Sequence, residues 1–390
     1  MMVNSPCADR AGGRFLGLDQ ARALAIIAMM VSHFGPGLFN HVSAVEPLRA
    51  PLLWFGRTAT PAFATVFGVT VGFVLLPRFL RGDWHKTVHR ILRRAGVIFL
   101  CAIAITVPLW AQMERRGVTD VWQWVFGLYS VLLFYSLAFL SLPIWLRWLS
   151  RHTTLRALAA GVMLWVAGTV GYELWPQQPP SAVEFLRLIL VSGSYGYLHM
   201  MGTALLALPL GWQLRQSLDA GSGDRFLVRM LALGMLVAVL AAAWGRAVGD
   251  YDLGRVIAGE LRAPARPWYF LHFGALAVVA MVGLELLTRR VRVMQTPGYV
   301  LALFGQTSLL IYTGHVFVLP ALEVVDRFVP LHGVARAAVP LLLFVTFCAV
   351  VMYTRHCRVR ARQDERPGTP TPVEPPSQTR LRVFAHTVRN

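Results

Sequence analysis

Stretches of about twenty mainly apolar residues recur along most of this 390-residue chain. A helix of that length crosses a hydrocarbon core of about 30 Å, and only helices and closed barrels satisfy their backbone hydrogen bonds there. The sequence lacks the apolar–polar alternation of membrane barrels. Hydrophobic residues make up 56% of the chain and charged residues only 14%, well below the roughly 25% of soluble proteins. These features predict an all-α polytopic membrane protein.

We expect about ten transmembrane helices, at roughly 17–38, 52–77, 91–110, 122–146, 155–175, 187–213, 227–248, 267–287, 298–322 and 335–354. Residues 1–16 then form an N-terminal tail and residues 17–354 the membrane domain. Residues 355–390 are rich in Pro and Arg and carry too few apolar side chains to fold. We therefore expect this C-terminal segment to be a disordered basic tail.

Basic residues predict how the chain sits in the membrane. Arginines cluster before the first span, after the second, fourth, sixth and eighth spans, and in the C-terminal tail, whereas the opposite loops mix Arg with Asp and Glu. The positive-inside rule then places both termini in the cytoplasm. The net charge of +18 indicates contact with anionic lipid headgroups rather than nucleic acid, because no nucleic-acid-binding motif is present.

Two ionisable residues, Arg22 and His33, lie eleven positions apart within the first span. Eleven helical steps of about 100° make three turns plus about 20°, so both side chains lie on one face, roughly 16 Å apart along the axis. Ionisable groups in a membrane helix are costly and often mark a reaction site or pathway. In the alternative interpretation, His33 is a polar link between helices and Arg22 extends to the headgroups.

Further polar residues are predicted at related depths in other spans. His315 and His199 lie past or near the middle of the ninth and sixth spans, and Arg57 near the outer end of the second. A neutral imidazole can take a proton from an attacking hydroxyl, which suits acyl transfer. Whether these helices face one another is left open, and each residue has an alternative role in packing or headgroup contact.

Arg90 and Arg93 begin the third span on its cytoplasmic side. Residues three apart share a helix face, and two guanidiniums can bind phosphates. Basic clusters at cytoplasmic helix ends are also the ordinary signal of membrane topology. The chain contains no P-loop, serine-hydrolase elbow, zinc motif or dinucleotide fingerprint, and its four cysteines have no metal-ligand spacing.

Three short patterns occur in order in the first, third and ninth spans. They are Leu18-Asp-Gln-Ala-Arg22 followed by ten residues and His33, then Arg90-x-x-Arg93, then Ser308-Leu-Leu-Ile-Tyr312-Thr-Gly-His315. Together they resemble the acyltransferase-3 superfamily of membrane acyltransferases, which includes relatives that succinylate periplasmic glucans. One position departs from that family's pattern: Phe67 stands where a Ser is usual before Gly68. The likeness extends over roughly residues 14–354.

The resemblance implies a bacterial cytoplasmic-membrane enzyme that moves an acetyl or succinyl group from cytoplasmic acyl-CoA to an extracytoplasmic glycan or sugar. Acyl-CoA would be a co-substrate, with no permanently bound cofactor and no metal. Arg22, Arg90 and Arg93 would bind the CoA nucleotide, and His33 would be the general base. His315 or Arg57 would stabilise the oxyanion.

Substrate contacts are expected from Arg57, His199 and Tyr312. The acyl group, the acceptor and the oligomeric state stay open at this point. The main alternative is a transporter that uses intramembrane Arg and His to bind or relay a solute or protons. A scaffold or receptor-like membrane protein is a third possibility.

Overall fold

The structure is a computed structural model that describes residues 15–150, 152–192, 194–261, 265–318 and 333–364. The helices of these ranges are α1 (Gly17–His41), α2 (Arg49–Arg57), α3 (Ala59–Thr70), α4 (Leu76–Leu80), α5 (Trp84–Arg115), α6 (Val121–Phe126), α7 (Val131–Leu149), α8 (Thr153–Leu174), α9 (Ala182–Leu190), α10 (Tyr197–Asp219), α11 (Gly223–Ala247), α12 (Leu253–Ala258), α13 (Pro267–Arg290), α14 (Gln295–Gln306), α15 (Ser308–His315) and α16 (Gly333–Asp364). A π-helical turn, Val71–Leu75, joins α3 to α4.

Seven helical stretches in the described parts of the chain are long and apolar enough to cross a membrane. They are Ser43–Leu80, Trp84–Arg115, Val131–Leu149, Thr153–Leu174, Gly223–Ala247, Pro267–Arg290 and Ala338–Arg358. The expected all-α polytopic membrane fold is thereby confirmed. Helices α1, α10 and the pair α14–α15 cover the three other predicted spans. The count of ten and the cytoplasmic position of both termini stay predictions.

Several boundaries differ from the predicted spans because polar residues begin new helices. Ser130 caps α7 by accepting a hydrogen bond from the backbone N–H of Leu133, so α7 starts after a separate helix α6. Ser181 caps the short helix α9 in the same way, and α10 begins only at Tyr197. The ninth span is divided at Thr307 into α14 and α15.

The structure describes a few residues on either side of the predicted membrane domain, 17–354, whose bounds stay a prediction. Phe15 is already buried, with its ring 5.8 Å from that of Phe73. Helix α16 continues to Asp364, ten residues past the predicted end at 354, because Arg and Gln are good helix formers outside the membrane as well. The remainder of the two predicted tails, residues 1–14 and 365–390, lies outside the described residues.

Helix α1 is the central helix of the bundle. It packs against α2, α3, α13, α14, α15 and α16. Its small side chains Ala23, Ala25 and Ala28 are at most 1% exposed. A Cβ added to Gly305 of α14 would overlap the carbonyl oxygen of Asp19, so these two backbones approach closely. This packing fixes the distance between α1 and α14.

The first turn of α1 is held by side chains of α13. The Gly17 N–H donates to Oε2 of Glu285 at 2.6 Å, and Arg289 donates to Oε1 of the same carboxylate at 2.6 Å. Gln20 donates to the hydroxyl of Thr288 and to the carbonyl of Gly298, both at 2.9 Å. These bonds set the rotation and depth of α1, and hence the directions in which Arg22 and His33 point.

Candidate active site

A narrow cleft lies at the His33 end of α1. Its polar lining consists of Ser32, His33, Arg57, Thr60 and Tyr195. His33 is exposed there although it belongs to the central helix. We call this space the outer cleft, after the predicted topology. It brings together side chains from α1, α2 and α3 and from the segment between α9 and α10.

His33 contacts a second histidine, His315, which is delivered by α15. The two ring centroids are 5.0 Å apart and the rings are nearly perpendicular, at 87°. His315 is only 3% exposed, and its Nδ1 donates to the backbone carbonyl of Tyr312. Because a carbonyl can only accept, the neutral ring keeps its lone pair on Nε2. That Nε2 is buried and makes no hydrogen bond with the residues the structure describes.

Tyr312 completes this group. Its ring lies 5.3 Å from that of His315 and 6.5 Å from that of Phe63, a residue of the outer cleft. The structure therefore brings His33, His315 and Tyr312 into one contiguous cluster at the cleft. Two imidazoles at this separation hold one proton more readily than two, because two positive charges repel.

Arg57 forms part of the cleft wall and is positioned from two sides. Its Nε donates to the carbonyl of Ile257 in α12 at 2.8 Å. The hydroxyl of Tyr269 in α13 donates to the backbone carbonyl of Arg57 at 2.6 Å. These bonds place a permanent cation in the wall of the cleft that His33 also lines.

His199 lies elsewhere, in the contact between α8 and α10. Its ring is 4.6 Å from that of Trp165, and its Nε2 lies 3.5 Å from the hydroxyl of Thr169. It is 2% exposed and is not among the residues that line the outer cleft. His199 was expected to contact substrate because of its depth along the span. Depth does not fix the direction of a side chain around its helix, and this one faces α8.

A cluster of arginines lies at the other end of α1. Arg22 donates from Nη1 to Asp19 at 2.8 Å and from Nη2 to the hydroxyl of Thr70 at 3.2 Å, and its side chain is 32% exposed. The positive charges of Arg22, Arg78 and Arg90 all act on Arg94. We call these four residues the arginine cluster. Asp19 offsets the charge of Arg22, but four arginines against this one acid leave a net positive charge that favours binding of an anion.

The rotation of α5 decides which of its arginines belong to this cluster. The buried residues of α5 form one stripe: Thr87, Ile91, Ala95, Ile98, Ala102 and Thr106. At about 100° per residue, Arg94 lies roughly 70° and Arg90 roughly 110° from the centre of that stripe. Arg93 lies roughly 170° away, on the opposite face. The structure thus groups Arg90 with Arg94, and it directs Arg93 away from the bundle.

The π-helical turn brings Thr70 and Arg78 to the same side of their span. In an uninterrupted α-helix, residues eight apart differ by about 80°. A π-turn inserts one extra residue, so the difference falls to about 20°. Thr70 accordingly reaches Arg22 while Arg78 acts on Arg94. An irregular turn in this span therefore assembles one end of the candidate site.

An aromatic layer separates the arginine cluster from the outer cleft. Phe67 lies 5.3 Å from Tyr135 and 5.2 Å from Phe139, measured between ring centroids. The Tyr135 hydroxyl donates to the carbonyl of Phe63 at 2.9 Å, and the charge of Arg22 also acts on Tyr135. The unusual Phe67 is thus one of the rings that fill the space between the two ends of the site.

Residues 15–355 match the model of a protein family described as the acyltransferase domain, the family that the three sequence patterns resemble. The chain belongs to the acyltransferase-3 family. It is therefore a multi-pass membrane acyltransferase. No curated protein matches the chain.

Sequence reasoning did not single out Arg78, Arg94 or Tyr195. A signal existed for Arg94: the apolar residues Ile91 and Ala95 are four positions apart and mark the buried face of the helix, and Arg94 lies closer to that face than Arg93 does. No local pattern marks Tyr195, whose place in the cleft depends on the packing of the segment before α10. Arg78 depends on the π-turn, which the sequence does not announce.

Proposed function

We propose that this acyltransferase is an O-acyltransferase that moves an acyl group, acetyl or succinyl, from cytoplasmic acyl-CoA to a hydroxyl of an extracytoplasmic carbohydrate. The observation that carries the proposal is the pairing of two different sites along α1. Arg22 belongs to an arginine cluster at one end, and His33 contacts His315 at a cleft about 16 Å further along the helix. The loop charges favour the cytoplasm for the Arg22 end.

The arginine cluster suits the donor. CoA carries several phosphates, and guanidiniums bind phosphate oxygens through paired N–H donors. With the nucleotide at Arg22, Arg90 and Arg94, the pantetheine arm would extend along α1 toward His33. The aromatic layer lies on that route, so its rings must move aside for the arm to pass. When no donor is bound, the packed rings of this layer would keep water and solutes from crossing the bundle.

The outer cleft suits the acceptor and the reaction. The hydroxyl of the acceptor would enter beside His33, which takes its proton as the oxygen attacks the acyl carbon. The carbon–sulfur bond then breaks, and the proton on His33 is available to the departing CoA thiolate. His315, whose ring packs against His33, meets the resulting imidazolium as a neutral imidazole rather than as a second positive charge. Arg57 at the cleft wall supports binding of sugar oxygens.

The proposal is tested by mass spectrometry of cell-surface carbohydrate from bacteria that carry His33→Gln, His152→Gln or the unchanged protein. His152 is exposed at the start of α8, outside the described cleft, and serves as the matched control. We expect a mass increase of one acyl group with the unchanged protein and the control, and none with His33→Gln at equal membrane levels. Acylation that persists with His33→Gln contradicts the role of His33. Solute flux without any acylated product would favour the transporter instead.

A further inference from the structure

The hydroxyl of Tyr312 is a donor that the described residues leave open. The residue is 7% exposed and its hydroxyl makes no hydrogen bond with the described residues, yet this oxygen is not among the fully buried polar atoms that lack a partner. The hydroxyl of the neighbouring Tyr135, by contrast, donates to the carbonyl of Phe63. The phenol O–H of Tyr312 can therefore donate to an oxygen atom of a bound ligand.

The surroundings of Tyr312 place this donor at the reaction centre. Its own carbonyl accepts the Nδ1–H of His315, and its ring packs against the same imidazole, which in turn contacts His33. The phenol groups of Tyr195, from the cleft wall, and Tyr135 lie close enough to act on it electrostatically. The hydroxyl is thus held by packing rather than by a hydrogen bond of its own.

Two other residues could stabilise an oxyanion, and the structure argues against one of them. Nε2 of neutral His315 carries a lone pair, because its proton is on Nδ1, so this atom accepts rather than donates. Arg57 has its Nε committed to Ile257. The Tyr312 hydroxyl is a neutral donor that needs no change of protonation state to act.

We propose that the Tyr312 hydroxyl donates a hydrogen bond to the carbonyl oxygen of the acyl thioester and stabilises the oxyanion that forms there. When the acceptor oxygen bonds to the acyl carbon, the carbonyl electron pair moves onto that oxygen. Collapse re-forms the carbonyl and expels the CoA thiolate. Tyr312 keeps its proton throughout, and the stronger hydrogen bond to the anionic oxygen lowers the barrier. This role rests on the proposed function.

The first test is Tyr312→Phe in the purified full-length protein, which removes only the oxygen and keeps the ring against His315. We expect kcat to fall about 100- to 1,000-fold, as for loss of one oxyanion donor, with little change in KM for acyl-CoA. Tyr197→Phe is the matched control, because its hydroxyl contacts Ser141 and Trp145 between α7 and α10. We expect the control to keep its kcat.

A second test measures binding alone, with two unreactive CoA derivatives: a ketone that has a methylene in place of sulfur, and a thioether that lacks the carbonyl. The unchanged protein should prefer the ketone, and Tyr312→Phe should lose that preference while binding the thioether normally. A variant that keeps both its kcat and the preference overturns the role of Tyr312. A wild-type protein that binds acyl-CoA but forms no acylated product overturns the proposed function instead, so the two failures are distinct.

Discussion

Replacing either of two adjacent arginines on α5 tests the register of the donor site. Arg94 lies about 70° from the buried stripe of α5, and the charges of Arg22, Arg78 and Arg90 act on it, whereas Arg93 lies about 170° from that stripe. We expect Arg94→Ala to weaken binding of acyl-CoA and Arg93→Ala to leave it nearly unchanged. The two variants remove the same charge one residue apart, so each is the control for the other.

The size of the effect follows from the kind of bond that is lost. A hydrogen bond to a charged group contributes about 1.5–3 kcal/mol, and each 1.4 kcal/mol is a factor of ten in Kd. Arg94→Ala should therefore raise Kd for CoA by roughly 10- to 100-fold. Arg93→Ala removes only a long-range attraction and should change Kd by less than about threefold, with the difference shrinking further in high salt.

The assay is calorimetric titration of CoA into protein reconstituted in nanodiscs of uncharged lipid, which removes competition from anionic headgroups. Dephospho-CoA, which lacks the 3′-phosphate, shows whether the lost affinity belongs to that group. An Arg93→Ala effect equal to or larger than that of Arg94→Ala would refute the assignment, because it would mean that the outward face of α5 binds the donor.

Acyl transfer should fall as the pH is lowered, because the general base His33 must be neutral to accept the proton of the acceptor hydroxyl; a flat profile of kcat/KM would contradict this. Helix α9 contains an ion pair between Arg187 and Glu184. The hydrogen bond from Arg187 holds the pKa of Glu184 below its usual range. The pair therefore stabilises the fold at neutral pH, and this stabilisation is lost as the pH falls through the lowered pKa of Glu184. Arg187→Met alone should cost about 3–5 kcal/mol, and adding Glu184→Gln should restore part of it, as thermal unfolding of both variants would show. Gly305→Ala should lower thermal stability, because the new Cβ overlaps the carbonyl of Asp19. Gly96→Ala is the control, since a Cβ added there meets nothing within 4 Å. Equal stability of the two variants would argue against the close contact between α1 and α14.

Periodicity and length were sufficient to predict the fold class and most spans, because a bilayer leaves few solutions for the backbone. The shared face of Arg22 and His33 also followed from arithmetic on one helix. Boundaries were harder where a short polar segment restarts a helix, as at Ser130 and Ser181. At each of these positions the serine side chain caps the start of a new helix, although the apolar sequence around it suggests one continuous span.

The partners of each site residue could not be derived from the sequence, because they depend on how separate helices rotate against one another. His315 was expected at the depth of His33, and the structure places their rings in contact. His199 was expected at a similar depth, and its ring packs against Trp165. The difference lies in rotation about the helix axis, which the many small interface residues determine only after packing.

The same limit explains the arginines. A pair three residues apart, Arg90 and Arg93, matched a familiar pattern, but the buried stripe of α5 favours Arg94. The π-turn that aligns Arg78 with Thr70 is an irregularity with no sequence signature of its own. The residues that hold the ends of the candidate site thus depend on long-range packing, even though the helix that connects them was predictable.

The most direct test of the account is vectorial acyl transfer in sealed proteoliposomes of defined orientation. Acyl-CoA labelled in the acyl group is supplied only on the side of the Arg22 end, and a carbohydrate acceptor only on the side of His33. Labelled carbohydrate is expected with the unchanged protein and none with His33→Gln. Product that forms only when donor and acceptor share one compartment would contradict an acyl path through the bundle.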